Sequence, residues 1–406
     1  MKRISALLAV AAIAASSATL AADSLSLSFS QNWADNLFQT RLPGADAITV
    51  AGLSWEKSLS AFSLMAGADY SALRENTGLS MAAFLAGVDY LYAASKKTAL
   101  YFSLMSDAAL FGSEYADFNH SAARFSAALK SYVAPSSILK ATAVSEYRSY
   151  RYTQFDFLSQ GVTVSLDKYF PSRTTLQAEI GWGLKYFLHP QIIEDAFLPA
   201  ALSAVPNSGT PSTTGGQGGT GGMGSSWHGG RGGPGGYART STLSEGKSIQ
   251  IASLQGRVAQ GLGDRIGLRL AGIVQWNLSG ENPFTTVEEY AMIENPTYDA
   301  FAWKGTSWNS QLTLLLPWNV EARLGYTRSD KTFPGIESLD LNGNSIGVIR
   351  KDGRDQLEVK IEKNFAKWSV VLTYAFIRNR SNDPLFIWHG QFISGGLQWN
   401  FDLGGK

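Results

Sequence analysis

Residues 174–187 read TTLQAEIGWGLKYF, and every second side chain is apolar. Leu176, Ala178, Ile180, Trp182, Leu184 and Tyr186 alternate with Thr175, Gln177, Glu179, Gly181, Gly183 and Lys185. Consecutive side chains of a strand point to opposite faces, so a period of two marks a β-strand with one apolar and one polar face. The rest of the chain decides whether the apolar face meets a protein core or lipid.

The alternation returns along almost the whole chain. In 265–278, Ile266, Leu268, Leu270, Val274, Trp276 and Leu278 oppose Arg265, Arg269, Gln275 and Asn277. Within 319–327, Val320, Ala322, Leu324 and Tyr326 oppose Glu321, Arg323 and Thr327, and within 356–365, Leu357, Val359 and Ile361 oppose Gln356, Glu358, Lys360 and Glu362. Trp368, Val370, Leu372, Tyr374 and Phe376 repeat the pattern in 368–376. Less regular versions occupy 24–32, 46–56, 60–70, 79–93, 99–110, 121–133, 138–149, 154–169, 247–260 and 304–316.

The connections carry the more specific signal. Short ones fall near 57–59, 94–98, 134–137, 170–174, 261–264, 317–319 and 366–367. Between them lie longer, more polar ones at 71–78, 112–120, 188–246, 279–303, 331–352 and 381–387, with a short one near 151–153 as the exception. Soluble strands average about five or six residues, whereas a tilted strand needs about 9–11 to cross a bilayer. Long strands with tight turns at one end and long loops at the other describe an all-β, transmembrane, antiparallel up-and-down β-barrel of about sixteen strands. Closure leaves no backbone N–H or C=O unpaired against hydrocarbon. The apolar face of 174–187 is then expected to meet lipid, with Trp182, Tyr186, Trp276, Trp368 and Trp399 in the aromatic girdle at the membrane interfaces.

The ends and the composition agree. Residues 1–22 pair a basic start, Lys2 and Arg3, with an apolar run from Ala6 to Ala15, the pattern of a secretory signal peptide. The remaining 23–406 form the single transmembrane β-barrel. No segment offers the ~20 consecutive apolar residues of a membrane helix. The chain has 34 basic and 33 acidic residues, and without Lys2 and Arg3 the balance is 32 to 33, which argues against nucleic acid as a partner. There is no cysteine, so disulfides and thiolate metal sites are excluded.

The C-terminal run FISGGLQWNFDLGGK places Ile393, Leu397, Trp399, Phe401 and Leu403 on one face. Here the chain resembles the bacterial outer-membrane β-barrel class, whose last strand carries a glycine followed by spaced aromatic or apolar residues. Gly396, Trp399 and Phe401 match that spacing, while Gly395 stands where the class has a polar residue and Asp402 to Lys406 follow its terminal aromatic. The resemblance implies residence in outer-membrane lipid, assembly by the barrel assembly machinery, and a strand number like that of the general porins. A porin-like channel for small hydrophilic solutes is the function it implies, and a homo-oligomer is compatible with it. The alternatives are a plugged barrel serving as surface anchor, adhesin or interaction protein, and, behind it, an outer-membrane hydrolase.

Residues 188–246 form a long glycine-rich external loop whose central part, 206–236, cannot bury enough apolar surface to offset its chain entropy. The four histidines, His120, His189, His228 and His389, lack metal-ligand spacing, and no catalytic motif or cofactor is implied. His389 near Asp383 and His120 near Asp117 and Glu114 are the only histidine–acid candidates. The pore-lining candidates are the charges opposite the apolar faces: Arg124, Lys130, Lys140, Arg148, Glu179, Lys185, Arg257, Arg269, Glu321, Arg323, Glu358 and Glu362. Walls of opposite sign would filter solutes by charge.

Overall fold

The computed structural model describes residues 24–402 apart from 38, 40, 42–43, 152–155, 190–247, 282–298 and 342–344, and apart from the side chains of 114, 117, 118 and 402. The signal peptide and nearly all of the glycine-rich loop lie outside these residues.

The first quarter contains β1 (Ser24–Ala34), β2 (Asp46–Leu59), β3 (Phe62–Leu73) and β4 (Met81–Ala93). The next strands are β5 (Thr98–Phe111), β6 (His120–Ala134), β7 (Ser137–Tyr150) and β8 (Phe157–Tyr169). They are followed by β9 (Thr174–Phe187), β10 (Ser248–Leu262), β11 (Ile266–Ser279) and β12 (Lys304–Leu316). The last four are β13 (Val320–Leu339), β14 (Ser345–Asn364), β15 (Trp368–Ser381) and β16 (Trp388–Asp402). Each pairs antiparallel with its sequence neighbours, and β1 pairs with β16 from Ser24↔Asp402 to Ala34↔Phe392, so the sheet closes into a sixteen-stranded barrel. Within the closed wall every described strand has a partner on both sides, so the wall leaves no edge to template aggregation.

Tight turns gather at one end. Several use the left-handed backbone that short hairpins require: Ser60 (φ 54°), Ser136 (φ 55°), Gly263 (φ 69°), and the consecutive pair Trp318 and Asn319 (φ 62° and 58°). The longer connections gather at the other end. One of them differs from the expectation: 331–352 is mostly strand, because β13 and β14 run on for 20 residues each and continue the hairpin beyond the barrel wall. The ladder holds to Thr332↔Lys351, breaks, and resumes at Glu337↔Ile349. Pro334, which has no N–H to give, and Gly335 (φ 80°) occupy the break.

The two faces of the wall are unlike. On β9 the outward positions Leu176, Ile180, Trp182 and Tyr186 are exposed, whereas Lys185 and Phe187 on the opposite face are buried. Outward aromatics frame the band at both ends. Phe365 stacks on Trp368 (3.7 Å) and Trp399 on Phe401 (5.8 Å) at the short-turn end, and Trp276, Trp308 and Tyr326 stand toward the other.

Inside, the long-loop end departs from a uniformly polar lumen. Phe157 and Phe187, opposite each other on β8 and β9, meet edge-on at 6.4 Å, and Ile249, Ile251, Phe333 and Ile336 join them in one buried apolar cluster. Loop residues Leu37, Leu79, Tyr115, Trp303 and Phe386 fold onto the same cluster. The mouth therefore carries an apolar collar, and the charged part of the inner wall lies below it.

Candidate functional site

The strand period sets which charges share the inner wall. Arg124 lies on the face of β6 that also carries buried Ala122, opposite exposed Phe125. Its guanidinium donates to Glu146 Oε2 from Nε (2.9 Å) and Nη2 (2.6 Å), and Arg148 Nη2 donates to the other oxygen of Glu146 at 2.8 Å. One carboxylate on β7 thus holds two arginines. Lys130 and Lys140 are direct cross-strand neighbours, a repulsive arrangement. Lys140 escapes it by reaching Asp167 on β8 (2.6 Å), and the Lys130 ammonium lies 5.5 Å from the Tyr132 ring centre.

A second group lies on β13 and β14. Glu321 faces Glu362 and Arg323 faces Lys360 across the ladder, like against like. Each charge finds its counterion two residues along its own strand: Arg323 with Glu321, and Lys360 with Glu362 at 3.0 Å. The quartet is neutral, with opposite charges paired along each strand and like charges facing across the ladder. Glu358 on the same wall makes no ion pair among the described residues; it accepts only a long bond from Gln356 Nε2 (3.3 Å).

Between these groups the inner wall is unbalanced. Arg269 on β11 donates to two uncharged acceptors, Gln311 Oε1 (2.8 Å) and Asn309 Oδ1 (3.4 Å), and feels the like charges of Arg257 and Arg323. Arg257 on β10 and Glu179 on β9 attract each other without forming an ion pair, and the Nε atoms of Arg257 and Arg269 are buried with no acceptor. Among the described residues Arg257 and Arg269, like Lys130, form no ion pair with a carboxylate.

Lys185 is set apart from the other candidates. It is 2 % exposed, bonded to Asp299 at 2.9 Å, and its ammonium sits 4.2 Å from the Phe157 ring centre inside the apolar collar. The expected wet surroundings are replaced by a dry ion pair, because the segment Asp299–Trp303 folds inward over it. Gln275 fixes that segment by donating to the carbonyls of Ala300 and Trp303, both at 2.6 Å.

Buried charges that the sequence did not single out hold the mouth together. Arg350, 1 % exposed, pairs with Asp352 (2.5 Å), and its guanidinium lies 3.4 Å from the Phe386 ring centre. Asp383 accepts from the backbone N–H of Leu339 (3.1 Å) and Leu385 (2.9 Å), and burial pushes its carboxyl above the usual range against the pull of Arg350. Asp46 accepts from three consecutive backbone N–H groups, those of Arg74, Glu75 and Asn76. Asp383 bonding the N–H of Leu385, two residues on, is a local signal that could have found it, whereas the Asp46 partners lie 28 to 30 residues away and no local pattern encodes them.

The histidine–acid candidates fare differently. His389 is exposed on the outer face of β16 while Asp383 is fully buried under the loop before it, so the two do not converge. His120 packs against Tyr150 (5.3 Å between ring centres), and the Glu114 and Asp117 side chains lie outside the described residues. Gly396, Trp399 and Phe401 all lie on β16, where they pair with Ser30, Leu27 and Leu25 of β1 at the seam.

No protein-family model matches the chain, and no curated protein matches it. Among solved structures it is similar to a bacterial polysaccharide outer membrane secretin, with 10% identity over 94% of this chain and 99% of that one and a TM-score of 0.48. It is also similar to Pseudomonas aeruginosa OccK1 (OpdK), with 9% identity over 93% and 98% and a TM-score of 0.46. Acinetobacter baumannii OccAB4 gives 8% identity over 93% and 98% and a TM-score of 0.48.

Proposed function

We propose that this barrel spans a bacterial outer membrane and passes small hydrophilic solutes through its lumen. The observation that carries the proposal is the accessibility of the inner-wall charges. Side chains facing the barrel axis keep much of their surface open to solvent: 46 % for Arg124, 37 % for Arg323, 28 % for Lys360 and 25 % for Lys140. A solid core would have buried them, and ionised groups enter a dry interior only at great cost. Outside, an exposed apolar band between aromatic rows fits the hydrocarbon and its two interfaces. Trp182, Tyr186, Trp276, Trp368 and Trp399 are assigned to those interfaces, and Gly396, Trp399 and Phe401 to recognition by the assembly machinery.

A solute would cross two zones in series. The apolar collar comes first, with its charges locked in buried pairs, and below it the wall presents Arg257 and Arg269 unpaired beside the neutral quartet of Glu321, Arg323, Lys360 and Glu362. The test is single-channel recording from the refolded protein in a planar bilayer. Stepwise conductance is expected; a protein that inserts, shows heat-modifiable migration and stays silent refutes the channel.

A further inference from the structure

A group of charges stands on the wrong face of the wall for a lumen. On β13 to β15 the outward positions run from apolar to charged within one rung: Tyr326 then Arg328, Leu357 then Asp355, Phe376 then Arg378. Arg328 faces Asp355 across one ladder and Asp355 faces Arg378 across the next, while Arg380 and Lys351 stand above them and Lys304 heads β12. At the same height β2 to β11 present uncharged outward side chains, among them Tyr70, Tyr147, Tyr186 and Trp276.

The cluster is built rather than scattered. Asp355 takes both oxygens to Arg328 Nη1 (3.0 Å each), accepts from Tyr326 Oη (2.7 Å), and holds Arg380 Nη2 at 2.8 Å. Asp330 fixes the rest of Arg328 through Nε (3.1 Å) and Nη2 (2.6 Å). With Asp330 spent on Arg328 and Asp355 shared between Arg328 and Arg380, two carboxylates stand against five cations, and Arg378, Lys351 and Lys304 are left in excess. Arg380 pairs with Asp355 through Nη2 and has 53 % of its side chain exposed, and Arg378, Lys351 and Lys304 are exposed without an ion pair among the described residues. Asp35 and His389 border the group on the β16 side; Asp35 is engaged by the N–H of Gln391 (2.7 Å).

We infer that this sector is a binding site for the phosphate groups of membrane lipid, seated just above the aromatic row on the long-loop side. The inference rests on the lipid-facing exterior proposed above. Guanidinium groups present paired donors matched to phosphate oxygens, and an oriented arginine loses less freedom on binding. The apolar rung beneath supplies the surface on which the acyl chains lie.

The test uses the full chain refolded in non-ionic detergent, with binding of lipid A and of its dephosphorylated form measured by native mass spectrometry. Wild type is expected to prefer the phosphorylated lipid. The triple substitution Lys351→Ser, Arg378→Ser, Arg380→Ser should weaken that binding about tenfold or more. Lys96→Ser with Lys97→Ser, on a short turn at the opposite end, should leave it unchanged. If the triple variant does not fold, Arg378→Gln alone should still lower the preference. Equal binding of both lipids, or equal loss in the two sets of variants, overturns the site while the barrel stands. A wild-type chain that never acquires heat-modifiable migration in detergent overturns both.

Discussion

Lys185 is a cation buried in the apolar collar and neutralised there by Asp299 at 2.9 Å. Strand period alone puts it on the inner wall beside Gln177 and Glu179. What buries it is Asp299, 114 residues away, brought in by a loop whose path no local pattern encodes. Removing one partner of a buried pair strands the other charge. Lys185→Met should therefore lower stability by about 3–5 kcal/mol, and adding Asp299→Asn should recover a large part of the loss. Urea titration of refolding into lipid vesicles reads both. A single variant as stable as wild type would show that the pair contributes nothing to holding the collar.

At the scale of the strand, the chain's own pattern carried most of the fold. Alternation and turn spacing placed all of the strands, including β2, whose pattern is the least regular of the set. Two features were obscured for a physical reason, namely that the inner wall changes character along its height. In β10 the apolar residues switch parity, from Ile249 and Ile251 to Leu254, Val258 and Leu262, where the strand leaves the collar for the lumen. Averaged over the strand this resembles noise; read in two halves it marks the boundary. In β13 and β14 the polar residues of 331–352 suggested a loop, yet the ladder resumes at Glu337↔Ile349 after a break in which Phe333 and Ile336 join the buried apolar cluster. The same hairpin depends on a close approach by the neighbouring strand β12. Gly305 has φ 145°, and a Cβ there would lie 2.1 Å from the carbonyl oxygen of Asp330. Gly305→Ala should cost about 1–3 kcal/mol and loosen the β12–β13 ladder near Lys304↔Thr332. Faster amide exchange confined to that end would confirm it, and an unchanged exchange pattern would count against the clash.

For the barrel as a whole the balance of the inner wall matters more than any single ion pair. Its candidate charges were recognisable from alternation, but their pairing was not, since it depends on cross-strand register and on which neighbour lies two residues along. Register makes a neutral quartet from Glu321, Arg323, Lys360 and Glu362, which contributes little net field, and puts Glu146 between two arginines, a trio that keeps one net positive charge. Arg257 and Arg269 form no ion pair among the described residues, and they are the residues expected to set ion preference. Together, Arg257→Glu and Arg269→Glu should move the cation-to-anion permeability ratio toward cations by about threefold or more, because one kT of wall potential changes local ion concentration by about that factor. The corresponding double glutamine variant should give an intermediate shift, and Arg124→Gln a smaller one, because it removes one charge rather than two and that charge is partly offset by Glu146. Reversal potentials in a salt gradient measure all three. If they coincide with wild type while conductance persists, solute choice is made in the apolar collar and the charged wall only keeps the lumen wet.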